Sequence, residues 1–447
     1  MSTAAAIDHF RREYAEVTPR LAGGQLSWLT QARDQALEGF AEKGFPGPRD
    51  EDWKYTRVSA IEKRAYKPAA PSCVGMVPED LEAYYPKGLA CHRMVFINGR
   101  YQRQLSVSGD LPDGARVDGL ARSLDGAAEE LEPYLARLAD PKASAFPALN
   151  TAFMEDGAFI SLPRGVELRD PIHLLFVSTG QEDDACIHPR ILIVAAEQSR
   201  ANIIESYVSL GDSSYLNNAI TEVAVQRGAR INHYKLQQES SKAYHVATLQ
   251  VTQERDSRFD SHSISLGARL ARNDINIHLA GEGAECNLNG LYIGNGRQHM
   301  DFHTRVDHAK PHGTSCEDYK GILDGHSRGV FNGQVHVHPD AQKTDAEQSN
   351  KNLLLSATAE VDTKPQLEIY ADDVKCAHGA TVGQLDEQMV FYLRSRGIDE
   401  ASARGLLTYG FAREIVDRME LPELRDHVER AVADHLPGAR DLIEMVQ

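Results

Sequence analysis

Between about residues 158 and 383 the chain repeats one short pattern: a strand-like run, a polar turn and an alternating strand. Almost no helical periodicity interrupts it. The turns begin at Glu197, Gln226, Thr252 and Gly281, a step of roughly 26 to 29 residues that signals a repeat architecture. Each turn leads into an alternating strand, at residues 202–206, 231–236, 258–264 and 286–291. Strand–turn–strand units without helices can close into a sandwich, a barrel or stacked coils. A sandwich would use more two-residue hairpin turns and more strongly apolar strands. These strands are moderately polar, and turns such as 197–201 are not of the primed hairpin type. The repeat is therefore read as stacked coils, in which only the end coils have unpaired edges.

The flanks have a different period. Leu29, Ala32, Ala36, Leu37 and Phe40 recur at helical spacing within residues 26–43. Gly44-Phe45-Pro46-Gly47-Pro48 ends that helix. Residues 49–56, acidic and then aromatic, read as a surface loop, and residues 67–71 as a linker. Asn98-Gly99 between 94–97 and 100–102 predicts a hairpin, because that turn needs positive φ at both central positions. One or two helices are expected within 120–138. Beyond Gly383 helices return over 385–396, from Glu400 to about Glu420, and over 423–436. In the second of these, Leu407, Phe411 and Ile415 lie four apart with Leu406 beside them, giving an apolar face expected to be exposed.

A chain of 447 residues is long enough for two or three cores. Its formal charge of −17 argues against nucleic acid and anionic membrane surfaces as partners. No run is long and apolar enough to span a membrane, and the N-terminus lacks the basic start of a secretory signal. The six cysteines, at 73, 91, 186, 286, 316 and 376, include no Cys-x-x-Cys pair. A self-contained zinc knuckle, thioredoxin-type site or ferredoxin-type cluster is thereby disfavoured, and reduced thiols in the cytoplasm are expected. No Gly-x-x-x-x-Gly-Lys-[Ser/Thr] occurs, so the chain has no P-loop of its own.

Chemistry-bearing residues gather late in the repeat. Cys376 stands two residues before His378, so a strand would put thiol and imidazole on one face. His336 and His338 share a strand face in the same way, as in some metal-binding cupin sites. Alternating histidines more often line a polar sheet face, and no Glu or third His has cupin spacing here. A cupin-like or β-helical metal-dependent enzyme using His336 and His338 is the alternative reading.

The segment 375–383, with 345–355, 364–369, Leu149-Asn150, Asp156-Gly157 and Leu291-Tyr292, resembles the SufB/SufD family of Fe–S cluster assembly scaffolds over roughly residues 145–420. The stretch 50–56 resembles the N-terminal motif of the SufD branch, and the cysteine cluster of many SufB proteins is absent. The resemblance implies a mainly β chain: a right-handed parallel β-helix core at 146–383, an N-terminal helical or mixed part at 1–145 and a C-terminal helical part at 384–447. It implies a cytoplasmic scaffold subunit, not an enzyme, that pairs with a SufB-like paralogue through the β-helix end and with its own copy in isolation. A SufC-like ABC ATPase would dock on Leu406, Leu407, Phe411 and Ile415. A transient Fe–S cluster would form at the SufB interface, with no stably bound cofactor in the single chain. The metal-facing histidine there corresponds to His378, with Cys376 beside it.

Overall fold

The computed structural model describes residues 3–70, 76–180 and 183–438; Cys73 lies outside them. Its centre is a mainly β solenoid built from two sheets, of 11 and 10 strands. From Arg190–Ala195 onward successive strands alternate between the sheets, so each coil gives one strand to each. The coils run from the pair Gly157–Leu162 and Ile172–Ser178 to the pair Glu360–Ile369 and Lys375–Gly383, about eight turns. Pairing between coils is parallel throughout: Tyr244 registers with Leu270, and Arg328 with Glu360. Those partners are 26 and 32 residues apart, so the repeat is real but its step is looser than the sequence turns suggested. A cupin jelly roll is thereby ruled out, because its sheets are antiparallel.

Parallel register carries one residue's position to the next coil. The lumen is filled by rows such as Ile231, Phe259 and Cys286 on one sheet and Phe302 and Phe331 on the other, all buried. Further rows are polar. His233 Nε2 lies 3.1 Å from Glu205 Oε1, and Lys235 Nζ donates to Asn273 Oδ1 at 2.7 Å. Burial draws Lys235 down to about 8.

Both outer faces are partly covered. The N-terminal helices Thr3–Val17 and Ser27–Lys43, with Ala145–Phe153, close around Phe10, Phe40, Phe45 and Phe146. The stretch around Trp53 is not a surface loop. Trp53 stacks on Phe146 at 5.1 Å, and the Arg272 guanidinium lies over its indole at 3.7 Å. Thr56 Oγ1 donates to Asp301 Oδ2 at 2.5 Å, and Lys364 pairs with Glu51. This segment straps the N-terminal part across the 11-stranded sheet. The expected linker also does more: Lys67–Pro68 pairs in parallel with Ala185 and Cys186. The Asn98-Gly99 hairpin forms as predicted, with φ of 48° and 81°.

The C-terminal helices Glu400–Val416 and Pro422–His435 fold back over the 10-stranded sheet. Ile415, Val416, Val428 and Val432 share one apolar cluster with Tyr234, Leu236, Leu291 and Ile322. Ile415 is completely buried there, so the expectation that it is exposed is corrected: the helix spends that face on its own solenoid. Phe411 is half-buried, its ring beneath Lys320 Nζ at 4.4 Å.

One buried network joins flank to core. Arg190 and Glu222, both fully buried, pair at 2.8 Å. Glu222 also accepts from the backbone N–H groups of Ala136, Leu138 and Ala139, while Arg190 donates to Asn150 Oδ1 at 3.0 Å. Removing one partner of such a pair strands a buried charge. Glu222→Ala should therefore cost about 3–5 kcal/mol by denaturant midpoint, and Glu222→Gln, which also removes the charge opposite Arg190 and turns an amide NH2 toward donors, should be destabilising as well. A loss below about 1 kcal/mol for Glu222→Ala would show that the network does not anchor the flank.

Candidate functional site

Among the described residues, no strand or cap covers the last coil of the solenoid. Glu360–Ile369 pairs only with Arg328–Val337, and Lys375–Gly383 only with Asp345–Leu354, among the described residues. Each strand therefore presents one row of backbone N–H and C=O groups to whatever lies beyond. Pro365 removes a donor from the first edge, as edge strands tolerate, whereas Lys375–Gly383 contains no proline. Ile369, Tyr370 and Val382 are exposed on this last coil.

Register fixes where His378 and Cys376 point. His378 pairs with Gln348, which pairs with Glu317, which continues through Leu288 and Ser261 to His233. Every member before His378 is buried in the lumen. His378 is the next residue in an interior row and is exposed because no further coil covers it. Cys376 heads the neighbouring interior row, above Ala346, Ser315 and Cys286, and is half-buried. The two share one face, as their spacing predicted. Burial first, and Asp345 next, push the Cys376 thiol up, so it is held as neutral thiol rather than thiolate.

The spacing alone would have fitted a second pair. Cys186 Sγ lies 3.0 Å from His188 Nε2, but both are buried beneath the N-terminal aromatics. Burial pushes the Cys186 thiol up and draws His188 down to about 3. What distinguishes Cys376 and His378 is their place on the open coil.

Beneath His378 lies a group that sequence patterning missed. Glu317 is 1% exposed and accepts from Gln348 Nε2 at 2.9 Å. Burial pushes its carboxyl up to about 7, against the pull of Thr304 and Gln348. Only the register reveals that Glu317, Gln348 and His378 form one row; the residues are 31 and 30 positions apart. The folded chain holds this proton more tightly than the unfolded one, so stability falls as pH rises from about 4.5 to about 7. Glu317→Gln should flatten that fall in denaturation curves across the window. An unchanged pH dependence would mean that Glu317 does not titrate there.

The helix Glu387–Ser395 follows the last strand. Val390 turns inward, but Met389, Phe391 and Tyr392 stay outside, Phe391 with 73% of its surface exposed. Arg404 pairs with Glu387, and Arg394 with Glu400, tying this helix to the next one. Leu406 and Leu407 are half-buried on that next helix. The apolar run 389–393 was the available sequence signal: five consecutive apolar residues wrap beyond a single helix face, so one side stays uncovered or is partnered.

Among the described residues no helix is long and apolar enough to cross a membrane. Comparison with known proteins agrees with the architecture. The SufBD core domain of the SUF system for FeS cluster assembly matches residues 176–411, and the SufBD protein N-terminal region matches residues 5–174. An iron–sulfur cluster assembly SufBD family protein of Synechocystis sp. is 34% identical over 92% of each chain. The iron–sulfur cluster assembly protein SufD of Escherichia coli is 32% identical, covering 90% of this chain and 92% of its own. SufD of Bacillus subtilis is 26% identical over 89% of this chain. A parallel solenoid between helical flanks, matched along nearly its whole length, places this chain in the SufBD family of iron–sulfur cluster assembly proteins.

Proposed function

We propose that the chain is a SufD-like scaffold subunit that completes its cluster-assembly site by pairing its open solenoid end with a SufB-like paralogue. The observation that carries this reading is the position of His378: an interior-row imidazole on an uncapped coil. A second solenoid pairing along Lys375–Gly383 would satisfy the free backbone groups and cover Val382 and Tyr370. His378 would then be enclosed with the partner's ligands, away from water and oxygen. The same edge permits pairing with a second copy when the paralogue is absent.

The nascent cluster is cargo, shared across the interface, and the single chain keeps no resident cofactor. Imidazole suits that transience, because it binds iron and protonates near neutral pH. Cys376 is the weaker contributor, since its thiol is held protonated. The subunit works as a cytoplasmic scaffold without a nucleotide site, and hydrolysis is left to a SufC-like ATPase. His378→Ala should leave complex assembly intact while cluster yield, followed by visible absorption under anaerobic reconstitution, falls about tenfold or more. Cys376→Ala should do less. Wild-type yield from His378→Ala would overturn the assignment.

The ATPase surface is best placed on the helix pair that follows the last strand. Ile415 is consumed by the solenoid and Phe411 is half covered, which leaves Leu406 and Leu407 with the exposed Met389, Phe391 and Tyr392. Phe391→Asp with Leu407→Asp should weaken ATPase binding by about 30-fold or more and leave paralogue pairing unchanged. Undiminished ATPase affinity, read by calorimetry, would move the docking surface elsewhere.

A further inference from the structure

The outer face of the 11-stranded sheet carries a register row unlike its neighbours. His278, Asp307, His336 and Glu368 stand side by side on four consecutive coils. All are half-buried, at the margin of the area strapped by the Trp53 segment. His338 lies on the same face two residues beyond His336, its backbone N–H tied to His308 O at 3.0 Å. Donor atoms of Asp307, His336 and His338 all lie within 4.8 Å of one another. His336 Nδ1 is 3.9 Å from Asp307 Oδ1 and 3.5 Å from Glu368 Oε2.

We propose that Asp307, His336 and His338, with Glu368 as a fourth donor, bind one divalent first-row transition metal ion of the Fe(II) or Zn(II) class. The spacing suits it. Ligands about 2.1 Å from a tetrahedral centre lie about 3.4 Å apart, close to the separations around His336 Nδ1. Two imidazoles and one or two carboxylates are a borderline-to-hard donor set. It favours iron, zinc or cobalt over calcium or magnesium, and the lack of a thiolate disfavours a cluster. The stack of the His336 and His338 rings, 4.4 Å between centroids, must open for both nitrogens to reach one ion. Side-chain torsions of half-exposed imidazoles supply that movement.

The competing cation is Arg305. Its Nε and Nη2 hold the Asp307 carboxylate at 2.9 and 3.0 Å, and its side chain is 45% exposed. Metal binding displaces Arg305 from Asp307 toward solvent. Access is open, because a cavity of about 450 Å³ between the sheet and the N-terminal strap is lined by Arg305, Asp307, Gln334 and Gln366. The site lies on the outside of the terminal coils, on the sheet opposite to His378, with Glu368 on the edge strand and His336 5.4 Å from the Tyr370 ring.

Titration of the full-length chain with Co(II), read by visible absorption and by metal retained after dialysis, tests the site. The wild type should bind one equivalent. His336→Ala and His338→Ala should each weaken binding tenfold or more. Arg305→Gln should tighten it, a gain that a misfolded variant cannot mimic. Absence of binding, binding indifferent to His336 and His338, or weaker binding in Arg305→Gln would each overturn the proposal.

Discussion

Parallel register is the constraint on which the rest of this structure depends. Each coil hydrogen-bonds only to the coil before and after it, so a residue's face is inherited down a row. That inheritance explains how Phe259 and Cys286 pack a lumen, and how His278, Asp307, His336 and Glu368 come to share an outer row. It also forces an unpaired end. A stack must stop somewhere, and the last coil must expose both its strand edges and the residues meant for the interior. His378 is an interior residue with no coil above it.

The same constraint sets the cost of the lumen's polar rows. Glu205, His233, Lys235, Glu239 and His245 are almost wholly removed from water. Isolated, such charges would be intolerable, but they are arranged as partners: His245 Nδ1 lies 2.6 Å from Glu239 Oε2, and Tyr207 Oη donates to Glu205 at 2.9 Å. Removing either member of such a pair would leave its partner buried and uncompensated.

Much of the architecture is legible in the sequence because repeats and turns are local signals. The spacing of Glu197, Gln226, Thr252 and Gly281 announces the coils, and Asn98-Gly99 announces its hairpin. The Cys376–His378 pair is legible too, but Cys186–His188 has the same spacing and is entombed, so position in the stack decides what spacing cannot. Contacts that span coils are not legible. Glu317 joins the His378 row, and Asp307 the His336 row, only once the register is known. The burial of Ile415 and the strapping role of Trp53 are tertiary choices of the same kind. An amphipathic face says that something covers it, not whether the cover is the chain's own sheet or a partner.

The proposed scaffold role requires the uncapped coil to be an interface. Amide hydrogen exchange of Lys375–Gly383, with the chain dilute enough to be monomeric, reports on it directly. In isolation the outward amides of this single-sided strand should exchange quickly, while those of Thr314–Leu323, two coils inward, stay protected. Adding the SufB-like paralogue should slow exchange across Lys375–Gly383 by about a hundredfold or more. Unchanged exchange in that strand, with protection appearing on another face, would contradict the claim.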